Sequence, residues 1–224
     1  MSVNNIDITT KKMFPNIKSE YLKPLFDNST YPFEILPNIK TFIQNILQTG
    51  LEGYTYLKDD VLIGQNVKIS ETASINGPAI IGHNTEIRPG AYIRGSVIIG
   101  ESCVIGNSTE IKNAILLDKV QAPHYNYIGD SILGEHVHLG AGVILSNLKA
   151  DNKPVVIKTK EGLNTNLRKV GSFLAENVDI GCNSVLNPGT VILNNTRVYP
   201  LTSVRGVYSE NKIIKSKDII IDLI

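Results

Sequence analysis

An aliphatic residue recurs every six positions through most of this chain. Ile63, Ile69, Ile75, Ile81, Ile87, Ile93, Ile99, Ile105, Ile111 and Leu117 fall on one spacing without a gap. Four places after each stands Val67, Ala73, Ala79, Thr85, Ala91, Val97, Cys103, Thr109, Ile115 or Gln121, mostly small or β-branched. The register shifts between Gln121 and Ile132 and resumes at Leu133 and Leu139. It returns in Leu174, Ile180, Leu186, Ile192, Val198 and Val204. A helix cannot use this period, because six residues at ~100° each turn successive aliphatics toward three faces. A strand can, since positions one and five of a hexad are an even distance apart and share a face. Short strands joined at corners then build a solenoid, each coil covering its neighbour's apolar interior.

Composition agrees with a narrow solenoid. The 224 residues are 42% hydrophobic and include 31 Ile, yet only 6% are aromatic and none is Trp. Many small, similar layers fill such a core, and the 22 Asn suit corners that need unusual φ. A net charge of +1 argues against a nucleic-acid partner. No apolar run is long enough for a membrane span. The opening MSVNNIDITTKK contains no apolar run, so no secretory signal is expected. Two cysteines, Cys103 and Cys182, make no disulfide framework, so a reduced, cytoplasmic protein is expected.

Three segments lie outside the repeat. Residues 1–60 carry no hexads. PNIKTFIQNILQTG predicts a helix capped by Asn38, striped by Ile39, Phe42, Ile43 and Ile46 and stopped by Gly50. A weaker helix is expected in NIKSEYLKPLFDN, and the segment is expected to cap the open end of the solenoid. A polar, Lys-rich insertion, 147–171, interrupts the hexads. The tail, 209–224, ends in a β-prone apolar run expected to pair along an edge or pack on a partner chain.

The repeat resembles the hexapeptide-repeat proteins, a class of left-handed parallel β-helices, and the left hand is implied by that resemblance. Three hexads make a coil in the class. About eighteen hexads then give roughly six coils, a prism ~29 Å tall. The expected fold is an all-β solenoid over 61–208 with a short N-terminal helical cap.

Chemistry gathers at the register break, in QAPHYNYIGD followed by SILGEHVHLGAGVILSN, with IRPGAYIRG and GNSTEIKNA upstream. Over about residues 62–205 this order resembles the glucosamine-1-phosphate N-acetyltransferase domain found in bifunctional enzymes of UDP-N-acetylglucosamine synthesis. The resemblance implies transfer from acetyl-CoA, with His124 as base and Glu110 in the same site. It implies that Arg88, Lys112, Tyr127, Asn147 and Lys153 contact the sugar phosphate. His138 stands where that family carries an Asn, so the acceptor is expected to differ or to be held differently. The resemblance also implies a homotrimer with sites between subunits. The first 60 residues hold no Gly-rich nucleotide loop, so uridylyl transfer is expected to be absent.

The residue types suit these roles. An amine attacking a thioester must lose a proton, and a His titrating near neutrality can take it. Backbone N–H groups in Gly140-Ala141-Gly142 are expected to face the oxyanion, and Arg168 and Lys169 the CoA phosphates. Arg88 and Lys112 are four hexads apart, which is one coil plus one side, so they cannot stack on one face. Cys103 is expected in the core, while Cys182 has no base placed for it. No metal is expected. The alternatives are a zinc site built around His136 and His138, as in carbonic-anhydrase-like β-helices, and a non-catalytic structural or regulatory solenoid.

Overall fold

The computed structural model describes residues 6–216 and 218–223. The readings of the first residues and of the tail fall partly on 1–5, Lys217 and Ile224, outside the described residues. The hexads form a left-handed parallel β-helix with three faces. Face A stacks Val61–Ile63, Ala79–Ile81, Val97–Ile99, Ala114–Leu116, Ile132–Leu133, Ser172–Leu174, Thr190–Ile192 and Val207–Tyr208. Face B runs from Lys68–Ile69 to Lys212–Ile214, and face C from Ser74–Ile75 to Ser203–Val204. Face C has seven strands, so there are seven complete coils among the described residues, one more than the hexad count implied. At ~4.8 Å per coil they stand about 34 Å tall.

Inside, Ile81, Ile87, Ile93, Ile99, Ile105 and Ile111 are buried in one continuous cluster with Val97, Cys103 and Ala91. The corners turn on residues in the left-handed region. Asn66, Asn84, Asn177, Asn195 and Asn211 have φ between 56° and 58°. The short amide of Asn tolerates that conformation better than most side chains. These residues also bond from coil to coil: Asn177 to Asn195 at 3.1 Å and Asn195 to Asn211 at 3.2 Å.

The register differs from the hexad reading in one place. Leu116 and Ala114 point inward, not Leu117 and Ile115, and Val120 takes the interior place read for Gln121. The corner at Asn113 is one residue short, so Ile99 pairs with Leu116 across 17 residues. The corner at Asp130 is short in the same way, and Ile115 pairs with Ile132 across 17 residues. Both shortened turns lie between faces C and A.

The N-terminal segment holds α1 (Thr10–Met13), α2 (Lys23–Asp27) and α3 (Ile39–Thr49). Helix α3 starts after Asn38, whose side chain makes no capping bond, and stops at Gly50, whose φ is 75°. The helices of this segment lie along the flank of the prism rather than over its end. Face A is apolar outside as well as inside. Leu62, Ile80, Ile98, Ile115, Ile132, Phe173 and Val191 point outward and are buried in one cluster with Met13, Phe26, Ile35, Ile39 and Ile43. A covered sheet face needs such residues. Ion pairs add to the contact, Lys18 to Glu135 at 2.6 Å and Lys12 to Glu210 at 3.6 Å. The end of the prism is met by strand Thr55–Lys58, antiparallel to Val61–Ile63. At the other end Ile220–Asp222 pairs antiparallel with Lys212–Ile214, so the tail does pair along an edge. The insertion is ordered, with a hairpin of Val156–Ile157 and Leu163–Asn164. Its Val155, Ile157 and Val170 join the cluster on face A.

Candidate functional site

The sequence-selected residues fall on two corners either side of face C. At the corner between faces B and C, successive coils stack Pro89, Asn107, His124, Ala141, Cys182 and Pro200. From Pro89 to Cys182 each is tied to the next coil by a backbone bond, such as Gly142 N–H to the His124 carbonyl at 3.0 Å. His124 ends strand Gln121–His124 with its side chain exposed, beside Tyr125, which is 62% exposed. The corner beneath it is rigid. Asn126 is buried, accepts from the His124 N–H at 3.2 Å and donates to the Gly140 carbonyl at 2.8 Å.

The Gly140-Ala141-Gly142 turn is less open than its sequence implied. Gly140 N–H is spent on the Ile180 carbonyl at 2.7 Å and Gly142 N–H on His124. Of the three, only Ala141 N–H has no partner among the described residues. It sits one coil above His124, in the same column. Gly140 is glycine for a packing reason, since a Cβ there would lie 2.7 Å from the Cys182 nitrogen.

The second corner, between faces C and A, is denser. Asp130 sits at the shortened turn with φ 47°, and its side chain is only 7% exposed. Its carboxylate accepts from Asn113 Nδ2 at 2.8 Å and from Asn147 Nδ2, and Lys112 Nζ lies 3.6 Å away. Asn147 is buried and also donates to Tyr127 Oη at 3.2 Å. Burial raises the Tyr127 phenol above its usual range. The insertion leaves and rejoins the prism here. Val170 N–H bonds the Asn147 carbonyl at 2.9 Å, and Gly171 N–H bonds the Asp130 carbonyl at 2.8 Å.

Other candidates are placed apart from this cluster. Glu110 is in register with Tyr127 but pairs with Arg94 at 2.7 Å. Arg88 follows the face B strand Glu86–Ile87 and pairs with Glu86 at 3.2 Å. It therefore does not share a face with Lys112. Lys153, Arg168 and Lys169 are exposed on the insertion. His138 lies on face B, its Nδ1 2.8 Å from Asp179 Oδ1, and that hydrogen bond raises its pKa. His136 turns instead to Glu135 at 3.4 Å, so the two histidines do not converge. Among the described residues no three His, Cys, Asp and Glu side chains gather as metal ligands. Cys103 is buried, and burial pushes its thiol up to about 12. No helix among the described residues is long and apolar enough to cross a membrane.

Sequence reasoning missed Asp130, Asn126 and Arg94. Asn126 had a usable signal, a polar side chain on a position where the repeat places an inward residue. Asp130 had none, since a corner Asp ordinarily faces water.

Residues 75–214 match the family described as the GMPPB C-terminal domain. The "Bifunctional protein GlmU" of Methanococcus aeolicus is 35% identical over 115 residues, covering 51% of this chain and 28% of the relative. The chain spans about a quarter of the length of such relatives. YaiX of Escherichia coli K12, provisionally named an uncharacterized acetyltransferase, is 36% identical over 166 residues, 71% of this chain and 72% of the relative. Among solved structures, a variant of AntD, an N-acyltransferase from Bacillus cereus, covers 80% of this chain and 86% of its own. It is 18% identical with a TM-score of 0.41, a likeness too slight to bear on ligands.

Proposed function

Since the chain belongs to the GMPPB C-terminal-domain family, within the hexapeptide-repeat acyltransferases, we propose that it transfers an acetyl group from acetyl-CoA to the amine of an amino-sugar phosphate or nucleotide-linked amino sugar. The observation that supports this most is the pairing of His124 with the unspent Ala141 N–H one coil above it. A base and an oxyanion donor are thereby side by side at an accessible corner. The neutral amine attacks the thioester carbonyl and an N–C bond forms. The amine proton passes to His124, Ala141 N–H faces the oxyanion, and the C–S bond breaks to release CoA thiolate.

The acceptor is held by Lys112, Tyr127 and Asn147, with Lys153 above them on the insertion. Glu110 orients Arg94 and the amine end of the acceptor. Acetyl-CoA lies against Gly140, Ala141 and Gly142, and Arg168 and Lys169 meet its phosphates. His138 takes the family's Asn position at the acceptor's edge. His124 and Asp130 stand at opposite edges of face C, six residues and up to ~20 Å apart, with Tyr127 between them, so Lys112 and the base meet an acceptor from opposite ends. A homotrimer is proposed around this site, with Arg88 reaching a neighbour's acceptor. Two free thiols suit a reducing, cytoplasmic setting.

Thiol release from acetyl-CoA, measured against a panel of amino sugars that includes glucosamine-1-phosphate, tests the reading. A folded His124→Ala variant should lose ~10²-fold or more in kcat, the scale of a general base. Release that is absent with every amine, or that survives His124→Ala, would overturn the proposal.

A further inference from the structure

Asp130 is the one carboxylate on this surface that is enclosed by several site residues. Its two oxygens and its carbonyl collect Asn113, Asn147, Lys112 and the Gly171 N–H, and through Asn147 they reach the Tyr127 hydroxyl. A surface carboxylate would meet water; this one meets donors from the coils on either side, including both roots of the insertion. Two of those donors, Lys112 and Asn147, are assigned above to the acceptor. The turn that buries it is also specific. The corner is one residue shorter than the hexad rule requires, which draws Asp130 under Asn147. A lone buried carboxylate is costly unless charge and hydrogen bonds compensate it, and among the described residues Lys112 supplies the only cation in contact.

We infer that Asp130 is a positioning residue. It fixes the Lys112 ammonium and the Asn147 amide, and through Asn147 the Tyr127 hydroxyl, in the arrangement that receives the acceptor, and it pins the insertion to that arrangement. It touches no substrate itself. The inference rests on the acyltransfer reading for the identity of the acceptor, while the linkage among the side chains stands on geometry alone.

Asp130→Asn separates the two. The substituted amide keeps the volume but turns a donor toward Asn147 and Lys112. In the thiol-release assay this variant should raise the acceptor KM roughly tenfold or more, the scale of a hydrogen bond to a charged group. The KM for acetyl-CoA should change less than about twofold. In a Lys112→Met background the same substitution should add less than about twofold, because linked residues are not additive. Two readouts need no activity. Competitive labelling with acetic anhydride should find Lys112 more reactive in Asp130→Asn, and amide exchange should speed across 147–171. If both are unchanged in the folded variant, Asp130 positions nothing. If both change while the acceptor KM does not, its acceptor role falls. If the wild type releases thiol with no amino sugar, the acyltransfer reading fails, and labelling and exchange still decide the linkage. Should Asp130→Asn not fold, Asn113→Ala removes one donor and keeps the charge. About a threefold rise in acceptor KM is then expected, and no rise would overturn the inference.

Discussion

Two corners of the same prism have opposite characters. Between faces A and B the coils repeat faithfully. Asn177, Asn195 and Asn211 stack at nearly equal φ and bond one to the next, and the charges beside them, Lys18, Lys119 and His136 on Glu135, pair with one another. Between faces C and A the repeat fails four times, once before Val207–Tyr208, where Ile192 pairs with Tyr208 across only 16 residues. The turns at Asn113 and Asp130 are each short by a residue, and after Asn147 the chain leaves for the 147–171 insertion. There Lys112, Tyr127, Asn147 and Asp130 meet. The lesson is physical. A regular corner satisfies its own backbone and leaves side chains equivalent and solvated. An irregular one lets neighbouring coils reach over each other and bury polar groups together. Function concentrates where periodicity is given up.

The contrast breaks most sharply at Gly171. A Cβ there would lie 2.1 Å from the Gly129 carbonyl oxygen and 2.2 Å from Ser131 Oγ. The first obstacle is backbone and cannot swing away. Gly171→Ala should cost ~1–3 kcal/mol, the scale of overpacking, and should raise the acceptor KM because Gly171 N–H holds the Asp130 turn. Thermal melting and steady-state kinetics check the two halves. An unchanged melting temperature would mean that this corner yields as easily as a loop.

These differences bear on what the sequence exposes. The inward aliphatics from Ile63 to Ile111 were readable, because a buried six-residue period has few other uses. His124, Tyr127, Lys112 and Asn147 were readable as a motif in order. The short turn at Asn113 was not. Ile115 and Leu117 continue the aliphatic spacing by coincidence, although Ala114 and Leu116 are the inward residues. The path of the N-terminal segment was readable in principle. Runs such as Ala79–Ile81 and Val97–Ile99 hold three apolar residues in a row, and the middle one must point outward and be covered. Asp130 was hidden, because its burial depends on Asn147 and Gly171, which arrive from the next coil.

The regular corner should respond in stability alone. Asn195 has φ 56° and bonds both neighbours in its ladder. Asn195→Ala places a Cβ in the left-handed region with no polar end to offset it, at a cost of ~1–2 kcal/mol. Asn195→Gly relieves the strain and should cost less. Denaturant unfolding gives both numbers. Acceptor and acetyl-CoA KM values should stay at the wild-type level in each folded variant. A shift in either KM would show that the two corners are coupled after all.

The smallest effect belongs to the flat face between corners, where His138 and Asp179 form a half-exposed cross-strand pair. The bond to Asp179 raises His138 from its ordinary 6.5, and the bond to His138 lowers Asp179 from its ordinary 3.8. The raised His contributes stability that is complete below its unfolded value and is lost as pH rises through its folded one. The lowered Asp contributes above its unfolded value, and its share disappears as pH falls through its folded one. The pair is therefore strongest between about pH 4 and 6.5. Being half exposed, it should contribute ~0.2–1 kcal/mol, falling with salt. His138→Gln should erase that pH-dependent increment in denaturant unfolding at pH 5.5 relative to pH 8.5. If the wild type shows no such increment, the pair is solvated like any surface charge. An increment well beyond 1 kcal/mol would set His138 apart from the surface pairs and place its protonation among the groups that tune the acceptor site.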